Sequence, residues 1–434
     1  MMIRTLKSGE LDTAKRVWET CFDDQSAFVE WYFHRRSKAQ EFLGLFQETE
    51  NGTKELAADL HMAPYQLRFR KKTFSSAYLI AVATMPEFRM KGFAKELLKA
   101  SLTHLAQEGK AFTILLPFNV KFYTRLGWGI VSRRRLLRFT STVDKEQADA
   151  FPSARAFPPA STKESTGEIR LFPQRPPKSI LAHLKTIYTE WAKDFPGALL
   201  RSDQDWEGLL FDLYLEGGKT RLSLDSHGHP TGYALTYINK KEPTIREIAY
   251  TTCSAGQTLL RNILGSSASS LTWAAPLSDP LIDSLQTTTS ERKIPRADQT
   301  TLRQHREIAN TVEPFMLGRI TDLSGFLQKL PCPLKDFTLN IEIHDPLLPG
   351  NCGVFQLTPA DNGCFACIPS PKPPTVKTEI AFFTGLLAGD PYILENLAAT
   401  ARTSPELLWV GEEKHLSLLY RLFPKAVNYM SDYF

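Results

Sequence analysis

Residues 81–98, AVATMPEFRMKGFAKELL, carry an apolar strand into a short loop and out of it into a helix. Upstream, AYLIAVAT (77–84) is a nearly continuous apolar run, the pattern of a strand buried on both faces. Downstream, Ala94, Leu97, Leu98, Leu102 and Leu105 recur at three- and four-residue intervals, and Gly109 is a natural C-terminal stop. Arg89-Met90-Lys91-Gly92-Phe93-Ala94 stands at the junction. A helix N-terminus offers unpaired N–H groups and partial positive charge, which suits a phosphate. Gly92 lacks a Cβ and allows close approach, while Arg89 and Lys91 add charge. That is the pattern of a pyrophosphate cradle. The plainer reading is a helix start with a turn glycine and two solvated basic side chains. Neither G-x-x-x-x-G-K-[ST] nor G-x-G-x-x-G occurs, so a P-loop or Rossmann reading has no support.

Around this junction, residues 1–140 read as mixed α/β. A helical pattern at Leu11, Ala14, Val17, Trp18 and Cys21 precedes strands at 42–47 and 55–69, with a turn at Asn51-Gly52. AFTILLP (111–117) is a further strand, and a short helix around Phe122 and Tyr123 ends at Gly127. Residues 141–168, with Pro152, Pro158 and Pro159 among Ser, Thr and charges, read as an irregular connection. Helices at 180–191 and 206–215, a hairpin turning at His227-Gly228, a strand at 245–252, a helix at 256–264 and a strand at 270–276 follow. That order repeats the order of residues 10–117, a repeat of architecture rather than of residues. From about 312 the pattern is α+β: strands at 337–344, 353–358, 363–369, 376–383 and 406–410, with helices near 391–399 and 414–423. The expected domains are 1–140, 141–311 and 312–434.

The chain has 434 residues, 42% hydrophobic and 23% charged, enough for several ordinary cores. Its 52 basic against 47 acidic residues leave +5, too weak an excess to argue for nucleic acid. No apolar run approaches the roughly 20 residues of a membrane span. The N-terminus has no signal-like apolar region and the six cysteines are sparse, so reduced thiols and a cytoplasmic location are expected. Cys364 and Cys367 form a C-x-x-C with no second pair at zinc spacing, and positions i and i+3 of a strand face opposite ways. The nine histidines form no H-E-x-x-H or comparable motif, so no metal is expected. Arg133-Arg134-Arg135 reads as a solvated strand face or a subunit contact. The chain ends in AVNYMSDYF, without a charged or Gly/Ser tail, so a packed terminus is expected.

Residues 1–140 resemble the GCN5-related N-acetyltransferase fold, in which R/Q-x-x-G-x-G/A after the fourth strand binds the pyrophosphate of acetyl-CoA. Ala94 replaces the last Gly. Three pieces extend the resemblance to the enhanced intracellular survival (Eis) family: V-A-T-x-P-E-F-R-x-K-G (82–92), P-F-x-x-x-F-Y-x-R-L-G-W (117–128) and the terminal Asp432-Tyr433-Phe434. The resemblance implies two tandem acetyltransferase-like α/β domains, the second degenerate, then a sterol-carrier-protein-like α+β domain. It implies acetyl-CoA as donor, held by Val82, Ala83 and Thr84 at the pantetheine arm and by Arg89, Met90, Lys91, Gly92, Phe93, Ala94 and Asn119. The second region has Thr252-Cys253-Ser254-Ala255-Gly256 where the cradle would stand, so only a structural role is expected of it.

For catalysis the resemblance implies Tyr123 as the acid for the leaving thiolate and the α-carboxylate of Phe434 as the base. A thiolate with a pKa near 8.5 needs only a weak acid, whereas an α-carboxyl at about 3.5 is a poor base unless burial raises it or it orients the ammonium and a water. Plainer readings are a packed aromatic and a packed terminus. Acids and aromatics in 17–33, namely Trp18, Asp23, Asp24, Glu30, Trp31 and Phe33, would receive a polycationic amine. Their plainer reading is a helix cap and core indoles. The implied acceptors are aminoglycosides or lysine side chains, and the implied assembly a homohexamer. The rival expectation is a non-catalytic carrier or sensor that binds acyl-CoA or lipid.

Overall fold

The computed structural model describes residues 1–48, 52–141, 168–237, 243–265, 270–283, 285 and 306–430. Asn51 of the expected turn, most of the Pro-rich connection, and Ser431–Phe434 lie outside the described residues. Among the described residues, thirteen strands precede the last region: β1 (Met2–Thr5), β2 (Phe42–Glu48), β3 (Lys54–Phe69), β4 (Lys72–Thr84), β5 (Phe112–Leu115), β6 (Gly129–Ser141), β7 (Ile169–Phe172), β8 (Ala198–Leu200), β9 (Lys219–Leu224), β10 (Pro230–Tyr237), β11 (Thr244–Tyr250), β12 (Ser270–Pro276) and β13 (Arg306–Ile320). The helices used below are α1 (Leu11–Cys21), α2 (Ser26–Trp31), α3 (Phe93–Gln107) and α4 (Val120–Thr124).

The chain forms two compact units. The first comprises Met1–Arg133, Phe195–Asp205 and everything from Pro314 on. Its main sheet runs β1-β2-β3-β4-β5 and then the end of β13. Pairing is antiparallel except between β4 and β5. The helical stripe expected on α3 is its buried face: Leu97, Leu98, Leu102 and Leu105 are inaccessible and pack on Leu43, Leu45, Leu60, Met62 and Leu79 of the sheet. Cutting one of these leucines to alanine is worth about 2–5 kcal/mol by loss of burial plus the cavity left behind.

The second unit comprises Arg134–Asp194 and Trp206–Glu313. Its order is β7-β9-β10-β11-β12 and then β6, again with one parallel pair, β11 and β12. The repeat of architecture holds down to the position of that pair. In each unit the strand beyond the parallel pair comes from a distant stretch of sequence: Leu317–Ile320 lies antiparallel to β5, and Arg134–Thr140 antiparallel to β12. Local patterns carry no information on such pairing.

The C-terminal region, within the first unit, holds a five-stranded sheet of Leu339–His344, Gly353–Pro359, Phe365–Pro369, Val376–Glu379 and Leu408–Val410. The strand expected over 376–383 stops at Glu379, and Ile380–Ala388 is a helix. Its sequence IAFFTGLLA is apolar on nearly all sides, so it shows no helical period, and the helix is buried almost all round. It lies against the chain just after α4. A Cβ on Gly129 would meet the Ala381 carbonyl at 2.3 Å, so the glycine permits this approach.

The expected solvated arginine face is corrected here. Arg133 makes a two-pronged ion pair with Asp390 at 2.8–3.0 Å, Arg134 pairs with Glu313, and Arg135 donates to the Leu277 carbonyl. Each arginine is held because its partner lies far away in sequence, beyond what spacing reveals. The described end of the chain is packed: Met430 is inaccessible, and the Asn428 amide donates to the carbonyls of Val131 and Ala388. No helix among the described residues is long and apolar enough to cross a membrane.

Candidate active site

The site grows from a fault in β4. Asp59 of β3 stands opposite Ala83, yet His61 stands opposite Ile80, so β4 has two residues, Ala81 and Val82, where β3 has one. This is a β-bulge, and Ala81 takes a left-handed φ of 52° to make it. Pairing of β4 with β5 is confined to Ala77–Thr113 and Tyr78–Ile114. Beyond Tyr78 the two strands part. The backbone of Leu79–Thr84 on that side is left without a strand partner, an edge that an extended amide-bearing ligand can pair with.

The loop after β4 leads to α3. Met90 and Gly92 both take left-handed φ, 63° and 78°, so the chain turns sharply before the helix. Gly92 is the N-cap of α3, and no side chain caps the helix. A Cβ built on Gly92 meets nothing within 4 Å. The glycine is therefore not there to relieve crowding within the protein: its φ requires it, and the space before the helix is open. Uncapped N–H groups facing open space, with exposed Arg89 and Lys91 beside them, are what a pyrophosphate needs. Arg89 Nε meanwhile donates to the Thr84 carbonyl at 3.2 Å, and the Lys91 ammonium lies 4.9 Å from the Phe88 ring centre. Phe93 and Ala94 are half-buried in the first turn of α3.

Asn119 caps α4, its side-chain oxygen accepting from Phe122 N–H at 3.1 Å. That cap sets Tyr123, which is 3% exposed and ringed by Phe118, Phe122 and Trp128 at centroid distances of 5.0–6.2 Å. Among the described residues nothing hydrogen-bonds its hydroxyl. Burial raises the Tyr123 pKa, so the hydroxyl stays protonated at neutral pH. It can donate a hydrogen bond to a thiolate, whereas full proton transfer to one would run uphill.

On the α1–α2 side, the aromatic residues form a layer. Trp18 and Phe33 are buried and pack edge to face at 5.7 Å, and Trp31 is half-buried and stacked on Phe28. Asp23 and Asp24 are exposed in the loop between the helices, and Asp24 accepts the Trp18 indole N–H at 2.8 Å. Glu30 is exposed and ion-paired to Lys15, which lowers its pKa. Asp23 and Asp24 are thus the two acids of this group with no cationic partner among the described residues. Beneath the layer His61 is fully buried, joined to Tyr32 at 2.7 Å and Glu41 at 3.0 Å, and stacked on Phe42.

The sequence reading missed Asp59. It is 4% exposed, its Oδ2 is sealed from solvent without a hydrogen-bond partner, and burial raises its pKa well above the carboxylate range. An aspartate inside the apolar strand AADLHMA was the signal that could have found it.

The corresponding corner of the second unit is filled. Asp279 is buried and accepts the Tyr250 hydroxyl at 2.6 Å, and burial, followed by the Asp279 carboxyl, raises the pKa of Cys253 at the start of the helix Cys253–Gly265. A Cβ on Gly256 would meet Tyr250 and Leu281 within 3.0 Å. A carboxyl and tight packing stand where a phosphate would need charge and space. In the hairpin of that unit, Asp225, His227 and His229 bring three metal-capable atoms within 4.8 Å of one another, a grouping the sequence reading did not anticipate. Asp225 accepts the backbone N–H groups of both histidines at 2.8 Å, so the turn itself accounts for the grouping. All six cysteines are free thiols, with Cys367 buried.

The family model for the acetyltransferase (GNAT) domain matches residues 2–131, and that for a sterol carrier protein domain matches residues 323–431. No curated protein matches the sequence significantly. Among solved structures, the chain is similar over 100% of its length to a probable N-acyltransferase of Enterococcus faecalis, with 99% of that chain covered, a TM-score of 0.77 and 20% identity. It is likewise similar to a GCN5-related N-acetyltransferase of Anabaena variabilis, TM-score 0.73 at 18% identity, and to Eis1 of Mycobacterium abscessus, TM-score 0.72 at 17% identity, each with both chains covered in full. At these identities the likeness is one of fold.

Proposed function

We propose, for a chain that joins a GNAT acetyltransferase domain to a sterol carrier protein domain, that it transfers acetyl from acetyl-CoA to a primary amine of a polycationic acceptor. The observation that carries this reading is the open cradle at Gly92 next to the parted strands β4 and β5. Val82, Ala83 and Thr84 would pair with the pantetheine arm, and the N–H groups at Met90–Ala94, with Arg89 and Lys91, would take the pyrophosphate. The thioester then arrives near Tyr123, whose retained proton stabilises the leaving thiolate. Asp23 and Asp24 would draw in the ammonium groups of the acceptor, over an aromatic floor that includes Trp18 and Trp31. Aminoglycosides and lysine peptides are the acceptor classes that fit. Asn119 would act on the donor side through its cap of α4.

The Phe434 α-carboxylate would reach this site from the C-terminal domain. Support comes from the chain up to Met430. Ser132 Oγ donates to the Asn428 carbonyl at 3.0 Å, which ties the tail beside the strand that follows Tyr123 and Trp128. Four further residues span at most about 14 Å.

The reading is tested by thiol release from acetyl-CoA over a panel of aminoglycosides, polyamines and lysine peptides. Release that depends on a primary amine is expected; a protein that binds acetyl-CoA and releases no thiol with any amine would be the carrier instead. For the cradle, Arg89→Ala is expected to weaken acetyl-CoA binding about tenfold or more, the loss of one charge-assisted contact of roughly 1.5–3 kcal/mol. Gly92→Glu is expected to do worse, because it strains a left-handed φ and puts bulk and negative charge into the open space. Calorimetry finding wild-type affinity in both would remove the cofactor assignment.

A further inference from the structure

The amine arrives as an ammonium and must lose a proton before it attacks, whereas Asp23, Asp24 and Glu30 are exposed and Glu30 is ion-paired to Lys15. Asp59 differs. It lies in the middle of β3, paired with Gly44 of β2 on one side and Ala83 of β4 on the other, so neither neighbouring strand gives it a donor side chain. Ala83 follows directly on the bulge at Ala81 and Val82. Residues opposite one another in a sheet share a face, and β3 puts Asp59 on the face of His61, away from Leu60 and Met62 under α3. That is the face covered by α1. Cys21, at the end of α1, is near enough for its thiol to feel the Asp59 carboxyl, and its Sγ donates to the Thr84 carbonyl at 3.5 Å. The α1–α2 loop with Asp23 and Asp24 starts one residue later.

The titratable groups around Asp59 are few. From α1 there is Cys21; from the loop after β4 there is Arg89, held on the Thr84 carbonyl and also acting on Cys21; on its own strand His61 is already bonded to Tyr32 and Glu41. None neutralises Asp59, and desolvation alone governs it. A buried carboxyl oxygen without a hydrogen-bond partner costs stability, and among the described residues none is bonded to Asp59 Oδ2. Such a group is retained where its charge is called for by something that binds.

We propose that Asp59 is the proton acceptor of the transfer. The assignment rests on the acetyltransferase reading and deepens it. Burial disfavours the Asp59 carboxylate in the empty site, and an incoming ammonium favours it, so that binding drives the carboxyl proton out to solvent. The carboxylate then takes a proton from the ammonium, directly or through one water. The free amine attacks the thioester carbonyl, a C–N bond forms and the C–S bond breaks. The thiolate leaves with a hydrogen bond from Tyr123, and the second proton of the amine ends on sulfur. The net products are an acetamide, CoA thiol and one released proton.

The test is Asp59→Asn, which keeps the shape and removes the base. Its kcat/KM with a good amine is expected to fall at least about 10²-fold, with acetyl-CoA affinity unchanged. Its thermal stability is expected to move the other way. A raised folded pKa means that the folded protein binds more protons than the unfolded chain above about pH 4, so wild-type stability falls as pH rises through that window. Asp59→Asn should therefore melt above the wild type at pH 8 and level with it near pH 4. In the wild type, calorimetry of amine binding to the CoA complex in buffers of different ionisation enthalpy should show proton release, and the variant should not. An Asp59→Asn that melts lower at pH 8, or keeps full turnover, or a wild type with no proton release, would each overturn the proposal. If the wild type released no thiol with any amine, the acetyltransferase reading would fall first.

Discussion

Adding residues after Phe434, or deleting it, is expected to cut turnover at least about 10²-fold while the fold and acetyl-CoA binding persist. An extension converts the α-carboxylate to a neutral amide. A deletion moves the carboxylate to Tyr433, one residue short and without the ring that would anchor it. A small misplacement of a catalytic group costs about 10²-fold. The chain up to Met430 is already fixed: Tyr429 N–H donates to the Gly197 carbonyl at 2.9 Å, and Asn428 is buried between Val131 and Ala388. Small changes at the end therefore fall on the last four residues rather than on the docking of the domain. The check is kcat for each variant beside its melting temperature and acetyl-CoA affinity, with an N-terminal tag as control. On the proposal that Asp59 takes the proton, the terminal carboxylate would hold the ammonium in line. A folded extension with full activity would leave that task to Asp23 or Asp24.

Tyr123→Phe is expected to lower kcat by about 10²-fold or more with KM for acetyl-CoA nearly intact, since the hydroxyl acts only as negative charge develops on sulfur. Because burial raises its pKa, loss of the Tyr123 proton should not set the alkaline limb of the wild-type pH profile. The ring is packed by three aromatic neighbours, and phenylalanine retains that packing, so the melting temperature should scarcely change. Presteady-state thiol release separates chemistry from product release. An unchanged chemical rate would exclude Tyr123 from the step.

The strand, turn and helix that frame the proposed donor site were legible in the sequence because they are local. The end of a strand, the turn through left-handed Met90 and Gly92, and the start of an uncapped helix lie within residues 77–94, and Gly92 marks the turn. The repeat of the second unit was legible for the same reason, as an order of elements. What escaped depends on partners far away in the chain. Arg133 looks solvated until Asp390, 257 residues on, is beside it. The bulge at Ala81 appears only in the register against β3, and the strand beyond β5 comes from Leu317–Ile320. Helix Ile380–Ala388 has no polar face and so no period to read. Asp59 stood in plain sight as an acid in an apolar strand, but only its unpartnered Oδ2, among the described residues, gives it meaning.

The proposed reaction moves an acetyl group from a thioester to an amine at the open cradle of the first domain. The measurement that meets it most directly follows both products in one reaction, CoA thiol by a chromogenic reagent and acceptor mass by mass spectrometry. One acetamide on a primary amine for each thiol released, abolished by Gly92→Glu, is the expected result. Thiol release without acetylated amine, or acetylation that survives Gly92→Glu unchanged, would contradict it.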